Sequence, residues 1–369
     1  MAHLVTLIPG DGIGPEVAHA ARVVLEATGV ELRWDVQEAG TAVMQREGTP
    51  LPDRVLDSIR HSRTALKGPI TTPVGTGFRS VNVALRQELD LFAAVRPSRT
   101  LPGTLTHHPP LDLVVIRENT EDLYAGIEFE RGSDQAARLR DLLRELGGVE
   151  LRPDAGVTVK PISVTGTRRI VQFAFDFARR NGRKRITVGH KANIMRFSDG
   201  VFLGTAMEEA AAYPDIELEP MQVDELAMWL AWEPETLDEI LLPNLYGDII
   251  SDLCAGLVGG LGLAPGANLG WEYAVFEPVH GSAPDIAGRG LADPVAMVLS
   301  GALMLRHLSE RPAAEAVEAA VTRVLADGTH VTRDLGGNAS TEEMANALAG
   351  EARSILANGS GLDPVRPRE

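Results

Sequence analysis

An α/β protein, with helices packed on a sheet, is predicted from three features of the chain. Apolar, β-rich runs alternate with amphipathic helical patterns. The first such pair is joined by a glycine-rich turn, "IPGDGIGPEV". The length, 369 residues, exceeds what one core usually holds, so one large bilobal unit or two domains sharing a cleft are expected.

The first strand, residues 4–8, runs into a turn where Gly10 and Gly12 take the first and third places of a dinucleotide fingerprint. Pro15 occupies the sixth place, where that fingerprint needs a glycine for close helix packing, so the turn departs from the ordinary Rossmann pattern. Pro15 suits the first turn of a helix instead, over residues 16–27. A strand at 113–116, an amphipathic helix at 170–180, and strands at 186–188 and 274–276 continue the alternation. Two Gly/Pro-rich stretches, "RTLPGTLTHHPP" at 99–110 and "GGLGLAPGAN" at 259–268, read as connections between lobes. Residues 360–369, rich in Gly, Pro and charge, read as a frayed tail.

Hydrophobic residues make up 44% and charged residues 23% of the chain, and no apolar run approaches the roughly 20 residues of a membrane span. A net charge of −16 opposes nucleic acid, whose phosphates repel an acidic surface. The basic run "RRNGRKR" at 179–185 reads as positive charge at a helix C-terminus, where the macrodipole favours it. Cys254, the only cysteine, excludes an intrachain disulfide and a thiolate metal cage; "SDLCAGL" reads as a buried helix. With no charged leader and apolar segment before the first strand, a cytoplasmic protein without membrane contact is expected.

Two constellations carry chemistry. In "NLYGDIISD", Asp248 and Asp252 stand four apart, so a helix places both carboxylates on one face, where they repel unless a divalent cation such as Mg²⁺ or Mn²⁺ lies between them. The apolar Ile249, Ile250 and Leu253 place that pair at a buried edge. Arg86, Arg96 and Arg117 punctuate apolar stretches, and their forks suit a polyanionic small acid; Asn82 shares a helical face with Arg86. Singly, each arginine reads as a surface ion pair. Their coincidence with the aspartates makes a site.

Seven segments in order, "IPGDGIGPEV", "KGPITTPVGTGFRSVNVALRQELDLFAAVRP", "IRENTEDLYAGIE", "HKANIMRFSDG", "NLYGDIISDL", "GGLGLAPGANLG" and "EPVHGSAPDIAG", resemble the β-decarboxylating isocitrate and isopropylmalate dehydrogenases over nearly the whole chain. The resemblance implies oxidation and decarboxylation of a hydroxy polycarboxylate, with NAD or NADP taking the hydride and Mg²⁺ or Mn²⁺ bound to substrate. It implies that Arg86, Arg96 and Arg117 bind substrate carboxylates, that Asp248 and Asp252 hold the metal with Asp224 of a second subunit, that Lys191 from that subunit assists hydroxyl deprotonation, and that Tyr124 protonates the enolate. Neighbouring cations would disfavour the ammonium form of Lys191 and fit it to act as a base.

The same resemblance implies a cofactor site at Ile13, Thr72, Asn193, Glu277, His280, Gly281, Ser282, Ala283, Asp285, Ile286 and Asp293. Asp285 and Ile286 stand where NADP-using relatives have lysine and tyrosine, and an aspartate binds ribose hydroxyls while repelling a 2′-phosphate, which points to NAD. "DLGGNAST" at 334–341 also resembles NAD-dependent members, whereas Asp293 replaces a usual asparagine. Ser80 and Asn82 resemble the isocitrate enzymes, because a pocket facing an isopropyl group would leave both unpaired. Homoisocitrate, isopropylmalate, a biosynthetic analogue such as a phosphonate, and a non-catalytic regulatory subunit are the alternatives. The implied fold is the family's own two-domain α/β type, not a standard Rossmann fold. A large domain spans 1–91 and 259–369, a small domain 92–121 and 164–258, and a clasp at 122–163 interlocks a homodimer with shared active sites.

Overall fold

Alternating apolar runs build one mixed ten-stranded sheet. The computed structural model describes residues 2–73 and 80–359; residues 74–79 of the second family-like segment and the tail expected at 360–369 lie outside them. The first third of the chain forms β1 His3–Ile8, α1 Gly14–Glu26, β2 Leu32–Val36, α2 Thr41–Glu47, α3 Asp53–Ser62, β3 Thr64–Lys67 and α4 Val81–Glu88. The middle forms β4 Ala93–Arg99, β5 Asp112–Glu118, β6 Glu128–Phe129, α5 Asp134–Gly147, β7 Val157–Thr158, α6 Val164–Asn181, β8 Arg185–His190, α7 Ser198–Ala210, β9 Glu217–Gln222 and α8 Val223–Trp232. The last part forms β10 Glu239–Leu242, α9 Asn244–Leu257, β11 Pro265–Leu269, β12 Ala274–Pro278, α10 Val295–His307, α11 Arg311–Asp327 and α12 Thr341–Ala357.

The sheet is ordered β2-β1-β3-β12-β11-β4-β5-β10-β8-β9, and all neighbours are parallel except at its centre, where β11 runs antiparallel to β12 and β4, and β4 antiparallel to β5. A standard Rossmann sheet has no such inversion. One face carries two separate apolar clusters, one of α3 and α4 residues such as Val55 and Leu85, the other of α8 and α9 residues such as Leu226 and Ile250. The opposite face carries one continuous core shared by residues of α1, α6, α7, α10, α11 and α12. The gap between the first two clusters leaves room for a polar site over the central strands.

The predicted strands and helices form, with ends that differ from the periodic stretches; α1 starts two residues earlier than expected, at Gly14, and stops one residue short, at Glu26. Ser163 extends α6 by accepting the Gly166 N–H, and Gly182, in the left-handed region at φ 71°, ends it, so the basic run does close a helix. The stretch 259–268 is corrected. Its second half is β11, at the centre of the sheet, and a strand opening on proline and buried on both faces hides its period in small residues. The stretch 99–110 joins the antiparallel neighbours β4 and β5. Residues 122–163 contain the small β6–β7 pair and α5.

Candidate active site

Strand parity assembles the charged residues. Arg117 pairs with Ala94, Ala94 with Asn268, and Asn268 with Val275, two residues before Glu277; Arg96 is two residues beyond Ala94. Side chains two apart share a face, so Arg96, Arg117, Asn268 and Glu277 all project into the gap between the two apolar clusters. From one side α4 contributes Arg86 and Asn82, and from the other α9 contributes Asp248 and Asp252. Helix α9 approaches β5 closely: a Cβ at Gly247 would lie 2.5 Å from Arg117 Cγ.

Arg117 is fully buried and committed. Its Nε and Nη2 donate to Asn244 Oδ1 at 3.0 and 2.7 Å, and Nη1 donates to Asp248. The Tyr124 ring lies 4.9 Å from its guanidinium carbon, and the phenol donates to Asp248 Oδ2 at 2.5 Å. Burial opposes charge on Asp248, but Arg117 and the Tyr124 hydrogen bond outweigh it and hold the carboxyl below its usual range. Burial, reinforced by Asp248, raises the phenol, so Tyr124 keeps its proton at neutral pH. Asp252 is more exposed, 3.9 Å from Arg96, and burial raises it. Ile249 departs from expectation: it is 59% exposed, because α9 turns that side away from the sheet while Ile250 points in.

Arg86 is buried with an unpartnered Nε, and the Oδ1 of Asn82 is likewise buried and unpartnered. Burial and the neighbouring Arg117 lower Arg86 to about 10 and depress Arg96 as well. A surplus of guanidinium charge therefore faces the gap, which an anionic ligand would relieve. Ser80, at the start of α4, accepts from Thr72 Oγ1 at 3.3 Å. Beneath them lies an ion pair: Lys67, which sequence reasoning passed over, is 1% exposed and holds Glu277, expected at the cofactor site, at 2.6 Å. Asn268 also donates to Glu277 at 2.7 Å, and Asn119 to Asn268. A lysine ending the apolar strand "TALK" was the available signal, since lysine is seldom buried without a partner. Asn244, just ahead of the aspartate pair, was missed because an amide carries no charge pattern.

Lys191 and Asp224 stand apart from this cluster and pair with each other; Lys191 Nζ also lies 3.5 Å from Gln222. Within one chain the partner of Lys191 is a carboxylate. Among the described residues, no group of three acidic, His or Cys side chains is placed to hold a metal. Cys254 is buried in α9, and burial pushes its thiol up to about 12, as expected of a core cysteine.

The glycine turn meets other loops rather than a pyrophosphate. Asp11 N donates to Pro69 O at 2.7 Å and Ile13 N to Ser282 O at 2.8 Å, so these amides are already satisfied inside the protein. Gly12, at φ 60°, is obligatory there, because a Cβ would lie 1.9 Å from Ser282 O. Asp11 accepts from Thr41 N and Thr71 N, and Thr71 Oγ1 meets Ser282 Oγ at 2.7 Å. Ile13, Thr72 and the loop His280–Ala283 are thereby drawn into one floor, with the buried Nε2 of His280 unpartnered and Ala283 at φ 36°. Asp285 is exposed beside the half-buried Ile286, and Asn193 is exposed two residues from Lys191. Asp293 Oδ1 accepts from Val295 N at 2.9 Å at the start of α10, a role the usual asparagine would also fill. Burial, reinforced by Asp334, raises Asp293 well above the ordinary carboxyl range.

The family model described as isocitrate/isopropylmalate dehydrogenase matches residues 4–348. An NAD isocitrate dehydrogenase catalytic subunit, subunit 5, mitochondrial, of Arabidopsis thaliana is 44% identical over 344 residues, covering 93% of this chain and 87% of its own. The 3-isopropylmalate dehydrogenase of Methanothermobacter thermautotrophicus is 43% identical, covering 94% and 97%. The crystal structure of isocitrate dehydrogenase from Methylococcus capsulatus superposes with a TM-score of 0.88 at 48% identity, over 95% of this chain and 99% of that one.

Proposed function

This chain belongs to the isocitrate/isopropylmalate dehydrogenase family, and on that premise we propose that it oxidatively decarboxylates isocitrate to 2-oxoglutarate and CO2 with NAD as acceptor. The observation that carries the choice of acid is the α4 edge of the arginine cluster, where the donor Arg86 Nε is buried without a partner. A third carboxylate accepts from the Arg86 Nε–H, which an isopropyl group leaves orphaned at about 1–3 kcal/mol.

Arg86, Arg96 and Arg117 hold the substrate carboxylates and stabilise negative charge that develops as one departs. The oxygen donors Asp248 and Asp252 on one face of α9 fit a hard cation such as Mg²⁺ or Mn²⁺, which when bound supplies Lewis acidity to the substrate carbonyl. Tyr124, protonated at neutral pH, delivers a proton to the enolate carbon. Lys191 and Asp224, paired with each other in one chain, come from a second copy, Lys191 to take the hydroxyl proton and Asp224 to complete the metal ligands. That division supports a homodimer in which residues 122–163 interlock the subunits, with the large and small domains as 1–91 plus 259–369 and 92–121 plus 164–258. The unpartnered His280 Nε2 and exposed Asp285 fit NAD, Asp285 taking the ribose hydroxyls.

Purified protein with Mg²⁺ should reduce NAD with isocitrate at a kcat/KM about 100-fold or more above that for isopropylmalate. A reversed ratio removes the substrate assignment, and no turnover by a folded dimer removes the catalytic one. Asp285→Lys with Ile286→Tyr should move the NADP-to-NAD preference by about two orders of magnitude, read as a ratio of kcat/KM values. Unchanged selectivity places the ribose contact elsewhere.

A further inference from the structure

The strands that carry the candidate catalytic residues carry a second surface on their other face. Val95 lies beside Arg96, Ala267 beside Asn268 and Phe276 beside Glu277, so these apolar residues point to the opposite side of the sheet. There they floor a groove of about 610 Å³, walled by Phe173 and Phe177 of α6 and by Leu299 and Leu303 of α10. Its size is that of a small-molecule pocket. The wall side chains are only half-buried, although they pack against the continuous core.

The charge at the rim is selective. Arg183 is held by Asp112 at 2.5 Å and Asp238 at 2.8 Å, and Arg306 by Glu318 at 2.6 Å, so the acidic side chains lining the groove are neutralised. Arg99 and Arg180 also line it and make no ion pair among the described residues; the Arg180 Nε donates only to the Asp176 carbonyl at 3.0 Å. Arg180 belongs to the basic run at 179–185, which the catalytic reading leaves unused. An apolar bed ending at two uncompensated guanidiniums matches an apolar body with one anionic head, and repels a cation.

We infer that this groove binds a small amphipathic carboxylate, its apolar body on β4, β11 and β12 between α6 and α10 and its headgroup at Arg99 and Arg180. The inference is independent of the substrate and cofactor assigned above.

Calorimetric titration of the full chain with decanoate tests it, with decanol and decyltrimethylammonium as probes of the headgroup. Decanoate should bind once per chain and at least about tenfold more tightly than either of the others. Arg99→Glu with Arg180→Glu, both on exposed side chains, should weaken decanoate at least about tenfold while leaving decanol unchanged. Leu303→Trp, which fills the groove, should abolish binding of both. No decanoate binding by the unmodified chain, equal affinity for the cationic probe, displacement of decanoate by isocitrate, or indifference to the double arginine change would each overturn the inference. The arginine pair decides the matter if the tryptophan variant does not fold.

Discussion

Replacing Arg117 by Gln is expected to lower kcat/KM for isocitrate by about three orders of magnitude and to cost about 3–5 kcal/mol of stability. Arg117 has no exposed surface, and its fork joins Asn244 and Asp248 while Tyr124 stacks beside it. A glutamine is too short and neutral, so it leaves the partly buried Asp248 carboxylate without its cation. The carboxyl then rises, weakening both its hydrogen bond from Tyr124 and its capacity to bind a divalent ion. Arg117→Lys restores charge but not the fork, and should recover less than about a tenth of the lost activity. Steady-state kinetics beside urea unfolding separate the two effects. Activity of the Gln variant within tenfold of the parent would remove Arg117 from the site.

The second large effect lies beneath the site. Glu277→Gln is expected to lower unfolding free energy at pH 7 by about 3–5 kcal/mol, because the buried Lys67 amine is left with no carboxylate opposite. Burial alone would raise Glu277, yet Lys67 and then Arg86 overcome it and hold the carboxyl at about 2, against an ordinary 4.5. A depressed folded-state value means that the stabilisation is present above about 4.5 and is lost as pH falls from there toward 2. The difference in stability between the two proteins should therefore narrow through that acid range. Unfolding curves measured from pH 7 downward check this; a constant difference would show that charge at Glu277 contributes nothing.

Much of the chemistry was legible in contiguous sequence. The four-residue spacing of Asp248 and Asp252, and of Asn82 and Arg86, needs only a helix to put each pair on one face, and both helices form. Gly12 announced its own strain, although its contact is with Ser282 O rather than a ligand. Asn244 and Asn268 were not legible, because each acts through a partner distant in the chain and neither stands in a charge pattern, and Lys67 showed only as a lysine ending an apolar strand. β11 escaped for a different reason: between two strands, four of its five positions are buried and small residues open it, so no clear alternation marks it.

Periodicity, turn chemistry and motif spacing settled the α/β class and the helices bearing the paired side chains, and the resemblance of seven segments pointed to a dehydrogenase family, since all of these are properties of short contiguous segments. Strand order and register alone decided that Arg96, Arg117, Asn268 and Glu277 share one face, while Val95, Ala267 and Phe276 line a groove behind them. The same tertiary arrangement paired Lys191 with Asp224 away from the Asp248 cluster. The physical reason is that a one-residue slip between any two of the central strands would exchange the two faces, and what sets that register is packing among segments far apart in the chain.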